Sequence, residues 1–274
     1  MFTLNCKGRM LVVDKPIVMG IINSTPDSFY KDSRRTTLDE ILFQAEKMIK
    51  EGAAIIDVGG QSSRPGSGMI GPEEEIKRVI PAIIEISTRF PEIIISVDTF
   101  YSSVASKAVA AGASIVNDIS AGSIDAEMIK TVAGLNVPYV LMHMQGTPLI
   151  MQQNPSYEDV TKEVLDFFIF KTAELREAGI KDIIIDPGFG FGKTIDHNFE
   201  LLKNLGVFKI LNMPLLLGVS RKSTISKTLG ITADEGLNGT TVLNTAGLLK
   251  GASILRVHDV KEAVESVKLV SYLI

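Results

Sequence analysis

Polar side chains follow almost every short apolar run of this chain, and they are the residues best suited to chemistry. They are Asn23, Asp57, Asp98, Asn117, His143, Asp186, Ser220, Arg256 and His258. Burying such groups costs a few kcal/mol each unless they are hydrogen-bonded, so a ring of them predicts a polar ligand. Carboxylates and amides suit a heterocycle rich in donors and acceptors.

Cations gather after the last two apolar runs. Lys222 follows the seventh run, and Arg256 and His258 end the eighth, where the two-residue period of a strand puts both on one face. We expect Ser220 and Ser223 to cap a following helix, whose free N–H groups would receive an anion. These residues predict a phosphate-type site and transfer of a group away from a charged leaving group.

Two glycine-rich loops and the single cysteine refine this chemistry. The loop at 59–68 carries Arg64, which predicts a lid that brings charge to an anion, although flexibility alone explains many such loops. Glycines at 188, 190 and 192 lack P-loop spacing because Pro187 stands where a glycine is needed, so we expect a bent loop against a ligand. Cys6 precedes the first buried run and no Ser/His/Asp triad is suggested, which disfavours covalent catalysis.

Eight apolar runs must position these residues. They are Ile17–Ile22, Ile55–Val58, Ile93–Val97, Ser114–Val116, Tyr139–Met142, Ile183–Ile185, Leu215–Val219 and Ile254–Val257. Helical periodicity fills most gaps between them, for example over Pro72–Arg89 and Tyr157–Ala178. The alternation predicts an α/β fold, a single (β/α)8 TIM barrel domain spanning residues 1–274, with an open doubly wound sheet as the alternative.

Composition narrows the function classes. The net charge of −4 disfavours a nucleic-acid partner. The apolar runs fall far short of the roughly 18 residues that cross a bilayer, and no secretory leader is recognisable, so we expect no membrane partner. One cysteine suits a reducing compartment, which predicts a cytoplasmic location.

Eight segments carry a resemblance to a known family. They are MGIINSTPDSF (19–29), GAAIIDVGGQSSRPGS (52–67), SVDTF (96–100), NDIS (117–120), MHMQGTP (142–148), DPGFGFGK (186–193), GVSRKS (218–223) and RVHDV (256–260). In this order and at these strand ends, the chain resembles the dihydropteroate synthase family of pterin-binding barrels. The resemblance implies that 6-hydroxymethyl-7,8-dihydropterin diphosphate condenses with 4-aminobenzoate to give dihydropteroate and diphosphate in folate synthesis.

The resemblance also implies roles for individual residues. Pterin binding would fall to Asp98, Asn117, Met142, Asp186, Gly218 and Lys222, with Asp57 as a supporting acceptor. Diphosphate binding would fall to Asn23, Ser63, Arg64, Arg256 and His258, with Asn23 ligating Mg²⁺, the implied cofactor. Aminobenzoate would lie between Pro65, Phe189 and Lys222 with its carboxylate near Ser223, and Lys222, Asp186 and Arg256 would act in catalysis.

The first loop departs from the family pattern. It reads FYKDSRR over 29–35, so Lys31 stands where the family has an acid. Asp27 and Asp32 are therefore both candidate catalytic acids, and a catalytically impaired pterin-binding paralogue is the alternative function. A pterin-dependent methyltransferase needs no diphosphate site, so the four cations Arg64, Lys222, Arg256 and His258 argue against it. The family also implies a homodimer.

Overall fold

Eight parallel strands form the centre of the molecule. The structure is a computed structural model that describes residues 1–24, 33–61, 69–148, 150–151 and 153–273, with backbone alone at 33–37. The parallel strands are β3 (Ile17–Asn23), β4 (Ile55–Gly59), β5 (Ile94–Asp98), β6 (Ile115–Asp118), β7 (Tyr139–Met142), β8 (Ile183–Asp186), β9 (Leu216–Leu217) and β10 (Ile254–Val257). They coincide with the eight predicted runs, although β9 is shorter than its run.

The sheet closes into a barrel. The strand order is β8-β7-β6-β5-β4-β3-β10-β9. A parallel bridge joins Ile185 to Leu215, and the Ile185 N–H donates to the Pro214 carbonyl at 3.0 Å, which brings β8 next to the segment that leads into β9. This contact confirms the predicted (β/α)8 barrel and excludes the open doubly wound sheet.

Helices cover the outside of the barrel. They are α1 (Ser33–Glu51), α2 (Pro72–Arg89), α3 (Ser102–Ala111), α4 (Met128–Leu135), α5 (Val160–Glu177), α6 (Ile195–Lys203), α7 (Ser223–Leu229), α8 (Leu237–Leu249) and α9 (Val260–Val270), with a 3₁₀ segment at Leu205–Leu211. Gly112 ends α3 at φ 128°, a conformation that glycine adopts without steric cost. No helix in the described ranges is both long and apolar enough to cross a membrane.

An N-terminal hairpin closes the bottom of the barrel. Strands β1 (Phe2–Cys6) and β2 (Arg9–Val13) pair antiparallel, an element that the sequence patterns did not predict. Leu4 and Cys6 pack against one inward-facing residue from each parallel strand: Met19, Ile55, Ile94, Ile115, Val140, Ile184, Leu216 and Ile254. This apolar layer leaves only the opposite end of the barrel open to a polar ligand.

Candidate active site

The next inward-facing layer of the barrel contains several of the candidate residues. Side chains alternate between the two faces of a strand, so the residue two positions after each member of the apolar layer also points inward. These residues are Ile21, Asp57, Ser96, Asn117, Met142, Asp186, Gly218 and Arg256. Barrel enzymes carry their sites at this carboxyl end of the strands, so the layer forms the floor of the candidate site.

Arg256 joins two carboxylates across this floor. Its Nε donates to Asp57 Oδ2 at 2.7 Å, and its Nη2 donates to Asp98 Oδ2 at 2.6 Å. Asn117 Nδ2 donates to the same Asp57 oxygen at 3.0 Å, while Asp57 Oδ1 is buried without a hydrogen-bond partner. Arg256 is thus placed among the predicted pterin ligands, and its charged guanidinium is paired with two carboxylates.

The electrostatic balance of this cluster is tight. Burial raises the pKa of Asp98 to about 7, although the Arg256 guanidinium acts in the opposite direction. Burial also opposes the charge of Arg256, but the carboxylates of Asp57 and Asp98 hold the pKa of that guanidinium above its usual range. Asp57 and Asp98 therefore offer carboxylate acceptors on rigid strands, and the pairing with Arg256 offsets part of their cost of desolvation.

Lys222 and Asp186 face each other across Gly218. A Cβ atom on Gly218 would lie 3.8 Å from Lys222 Nζ and 3.9 Å from Asp186 Oδ2, so glycine leaves the space between them open. Burial lowers the pKa of Lys222 to about 8, and Asp186 opposes that shift. Burial raises the pKa of Asp186, against the attraction of Lys222. The pair presents one donor and one acceptor to the same cavity.

The two phenylalanines of the glycine loop after β8 point in different directions. The Phe189 ring lies in the main core between sheet and helices, where Phe189 lines a small pocket together with Lys222, and its carbonyl accepts from Lys222 Nζ at 2.5 Å. Phe191 packs instead with Met142 and Phe100, and Lys222 Nζ lies 4.6 Å from the centre of its ring. The structure thus places both phenylalanines near Lys222, and the Phe191 ring, which was not predicted, lies against its ammonium.

The loops after β9 and β10 are tied to each other. Ser220 Oγ accepts from the His258 backbone N–H at 3.2 Å and lies 3.0 Å from His258 Nδ1. Arg221 makes a bidentate pair with Asp259, at 2.8 Å for both contacts. The predicted serine caps are wrong: Lys222 is the N-cap of α7, without a side-chain capping bond, and Ser223 is the exposed first residue of that helix.

The sequence of this chain is similar to those of one family of known proteins. The model of the pterin-binding enzyme family matches residues 19–258. The dihydropteroate synthase of Escherichia coli strain K12 is 44% identical over 269 residues, which cover 97% of this chain and 95% of that protein. The chain belongs to the dihydropteroate synthase family.

Solved structures agree with this family. The dihydropteroate synthase of Yersinia pestis, solved in a sulfonamide drug complex, superposes with a TM-score of 0.93 at 37% identity and covers 99% of each chain. That of Xanthomonas albilineans with 4-aminobenzoic acid has a TM-score of 0.91 at 38% identity, covering 99% of this chain and 97% of the other. Family membership and the barrel fold, both expected from the motifs, are confirmed.

Several residues expected from the dihydropteroate synthase resemblance lie outside the described residues. They are Asp27, Asp32, Ser63, Arg64 and Pro65. Asn23 is described as an exposed residue at the end of β3, beside Gly59 of β4. Within the described ranges, no cluster of three histidine, cysteine or acidic residues could hold a metal ion by itself.

Lys193, the last residue of the dihydropteroate synthase motif DPGFGFGK, was not among the predicted site residues. Lys193 is 2% exposed, and its amine lies within hydrogen-bond distance of His143 Nδ1 and of three backbone carbonyls. A lysine after a glycine-rich loop ordinarily predicts an exposed side chain. Its burial depends on carbonyls from another strand's loop, which a local pattern does not reveal.

Proposed function

We propose that this chain condenses 6-hydroxymethyl-7,8-dihydropterin diphosphate with 4-aminobenzoate to give 7,8-dihydropteroate and diphosphate, an alkyl transfer in folate biosynthesis. The observation that carries the proposal is the floor of Asp98, Asn117, Asp186 and Lys222 in one barrel mouth. It joins acceptors and donors in the alternation that a pterin ring requires. Full-length similarity to dihydropteroate synthases supports the same reaction.

The strand residues would hold the pterin. The amino and ring N–H groups of a pterin need acceptors, which Asp98 and Asp186 supply, while its carbonyl and ring nitrogens need donors, which Asn117 and Lys222 supply. Met142, buried at the end of β7, would pack on the ring face. Asp57 would support this set by fixing Asn117 and Arg256, both of which donate to it.

The diphosphate would lie toward Asn23, Arg256 and His258, with Ser63 and Arg64 of the second loop closing over it. As the carbon–oxygen bond breaks, the bonding electrons leave with the diphosphate, and cations that face it lower the barrier. The pterin methylene carbon becomes cationic, and the lone pair of the aminobenzoate nitrogen forms the new carbon–nitrogen bond. That nitrogen then loses a proton to the departed diphosphate or to water. Asp27 and Asp32 remain our candidates for an acid in the first loop.

Mg²⁺ fits this site only together with the substrate. Asn23 offers one amide oxygen at an exposed strand end, and Mg²⁺ in phosphate sites commonly takes one or two protein oxygens beside phosphate and water. When bound, the ion would neutralise charge on the departing diphosphate. We therefore propose Asn23 as its protein ligand.

Aminobenzoate would lie over the loop after β8. We assign the aromatic contact to Phe191 rather than to Phe189, because the Phe191 ring faces Met142 and Lys222. Pro65 would close the other side, and the carboxylate would point toward exposed Ser223 and the first N–H groups of α7.

We further propose that the 1–274 barrel works in the cytoplasm as a homodimer. Val242 and Leu249 lie two helical turns apart on α8 and are 57% and 48% exposed, an apolar stripe suited to a second copy. Light scattering should give twice the chain mass, and Val242→Glu should give the chain mass. A monomeric unaltered protein would contradict this assignment.

Product formation from the two substrates, with and without a chelator, tests the reaction. We expect dihydropteroate and diphosphate in equal amounts, and a loss of turnover on chelation that added Mg²⁺ restores. Calorimetric binding of the pterin diphosphate without turnover would instead support the impaired paralogue. If the chelator did not change turnover, the proposals that Mg²⁺ takes part and that Asn23 binds it would be contradicted, whereas the proposed reaction would stand.

A further inference from the structure

Lys193 sits in a closed cluster of acceptors between two active-site loops. Its Nζ lies 2.9 Å from His143 Nδ1, 3.1 Å from the carbonyls of Gly188 and Phe191, and 3.3 Å from the carbonyl of His143. His143 follows β7, whereas Gly188 and Phe191 belong to the loop between β8 and α6. One buried amine therefore joins two loops that the sheet alone does not connect.

Among the described residues, these carbonyls have one further donor, the Phe191 N–H, which donates to the Gly188 carbonyl at 3.1 Å. Burial lowers the pKa of His143 to about 3, so the ring is neutral, and with its proton on Nε2 its Nδ1 accepts from Lys193. Burial also lowers the pKa of Lys193 to about 7, with the Asp186 carboxylate opposing the shift. An ammonium donates three hydrogens and a neutral amine two, so the lysine is the donor in both states. Without it, the carbonyls of His143 and Phe191 would lose their donor, at a cost of roughly 1–3 kcal/mol for each one left unpaired.

The two loops approach each other backbone to backbone. Gly188 has φ 71°, and a Cβ on it would overlap the His143 carbonyl oxygen. Gly192 has φ 61°, and a Cβ on it would overlap the Gln145 carbonyl oxygen. Buried carbonyls that converge in this way need a hydrogen-bond donor group between them. The side chain of Lys193 supplies that group.

The loop that Lys193 holds carries two contacts to the reaction site. The Phe189 carbonyl accepts from Lys222 Nζ at 2.5 Å, and the Phe191 ring lies under the same ammonium at 4.6 Å. Phe191 also packs on Met142, the last residue of β7. Any shift of this loop would move both the aromatic wall and the orientation of Lys222.

We propose that Lys193 is a positioning residue, whose buried amine gathers the carbonyls of His143, Gly188 and Phe191 and so sets the Phe191 ring and the Lys222 ammonium for aminobenzoate. It touches neither substrate and acts through the loop. This inference rests on the proposed function, and it makes aminobenzoate the more sensitive substrate. Three of the four proposed pterin ligands, Asp98, Asn117 and Asp186, come from strands, and Lys222 is the one whose orientation the loop sets. The pterin should therefore lose less affinity than aminobenzoate.

Lys193→Met keeps the length of the side chain and removes every donor. We expect the KM for 4-aminobenzoate to rise by about tenfold or more, while the Kd of the pterin diphosphate changes by less than about threefold. Lys7→Met is the matched control, because Lys7 also donates to a carbonyl, that of Val109 at 2.7 Å, in the hairpin at the opposite end of the barrel. Both constants should stay unchanged in that variant.

Lys193→Gln covers the case in which Lys193→Met does not fold, because its amide retains two donor hydrogens. We expect an intermediate KM for aminobenzoate. Combining Lys193→Met with Phe191→Leu should raise KM no further than the more severe single change, since both act on one wall. A folded Lys193→Met with unaltered KM, a lower melting temperature alone in both Lys193 variants, or fully additive effects with Phe191→Leu would overturn the proposal. An inactive unaltered enzyme would instead refute the reaction itself.

Discussion

At the scale of single residues, Lys222 is a buried lysine whose pKa lies below its ordinary value. Its ammonium lies between the Phe189 carbonyl, the Phe191 ring and the Asp186 carboxylate, and burial lowers its pKa to about 8. The amine is therefore charged below this pH and neutral above it. The charged form makes the stronger hydrogen bond to a pterin acceptor and the stronger contact with the Phe191 ring.

The activity should consequently fall on the alkaline side. We expect kcat/KM for aminobenzoate to decline by about tenfold per pH unit above pH 8. In Lys222→Arg the guanidinium stays charged, so the remaining activity should show no such decline. Lys222→Ala and Asp186→Asn should each lose activity by about tenfold or more while staying folded. A flat profile of the unaltered enzyme to pH 9.5, or normal turnover in both of the latter variants, would contradict the site assignment.

His143 gives a prediction about stability rather than rate. Burial is the main cause that lowers its pKa to about 3, and the Lys193 amine adds to the effect. In the unfolded chain this histidine takes up a proton near pH 6.5. Between pH 6.5 and 3 the unfolded chain therefore binds more protons than the folded chain does. The free energy of unfolding should drop by about 1.4 kcal/mol per pH unit as the pH falls below 6.5.

Urea unfolding at pH 7, 6 and 5 measures this slope. The glutamine of His143→Gln is polar but does not titrate. The free energy of unfolding of this variant should therefore change less steeply with pH than that of the unaltered chain, by the contribution of one proton, about 1.4 kcal/mol per pH unit. Equal slopes in the two proteins would show that His143 does not carry this pH dependence.

At the scale of elements, backbone contacts limit which residues fit in the loop between β8 and α6. Gly188 and Gly179 both have positive φ, 71° and 97°, but a Cβ at Gly188 would overlap the His143 carbonyl whereas one at Gly179 meets nothing within 4 Å. Gly179→Ala should therefore cost about 1–2 kcal/mol of stability from backbone strain alone. Gly188→Ala should cost more, because the loop must also move.

Kinetics separate the two glycine variants more clearly than stability does. Since the Gly188 loop carries Phe191, Gly188→Ala should raise the KM for aminobenzoate by about tenfold. Gly179→Ala, remote from the site, should leave that KM unchanged. Equal kinetic constants for the two variants would show that the loop adapts to a Cβ without moving its aromatic ring.

Local sequence pattern explains the elements better than the contacts between them. Continuous apolar runs and helix-ending glycines such as Gly112 depend on neighbouring residues, so the eight strands were predictable. The pairing of Arg256 with Asp57 spans 199 positions, and it depends on closure of the barrel. The choice between Phe189 and Phe191, and the burial of Lys193, likewise depend on a loop from another strand. The β1–β2 hairpin was missed because its exposed residues, such as Arg9, Met10 and Val12, obscure the alternation.

At the scale of the whole molecule, the residues that stabilise the barrel and the residues of the candidate site lie in different layers along the barrel axis. The lower inward layer is apolar and covered by the hairpin residues Leu4 and Cys6. The layer above it contains Asp57, Asn117, Asp186 and Arg256. Polar groups in that upper layer are costly to bury, so much of the favourable free energy of the barrel interior must come from the lower layer.

Leu4→Ala tests this separation. Leu4 is 2% exposed and packs on the lower layer, so its truncation should lower the free energy of unfolding by about 2–5 kcal/mol. The hairpin lies at the opposite end from Lys222, and both KM values of the folded fraction should be unchanged. Met10→Ala, at a position that is 64% exposed on the same hairpin, is the control and should shift stability by less than about 0.5 kcal/mol. If Leu4→Ala altered the aminobenzoate KM at a temperature where the chain remains folded, the two ends of the barrel would be coupled, and the lower layer would help to position the site as well as stabilise the fold.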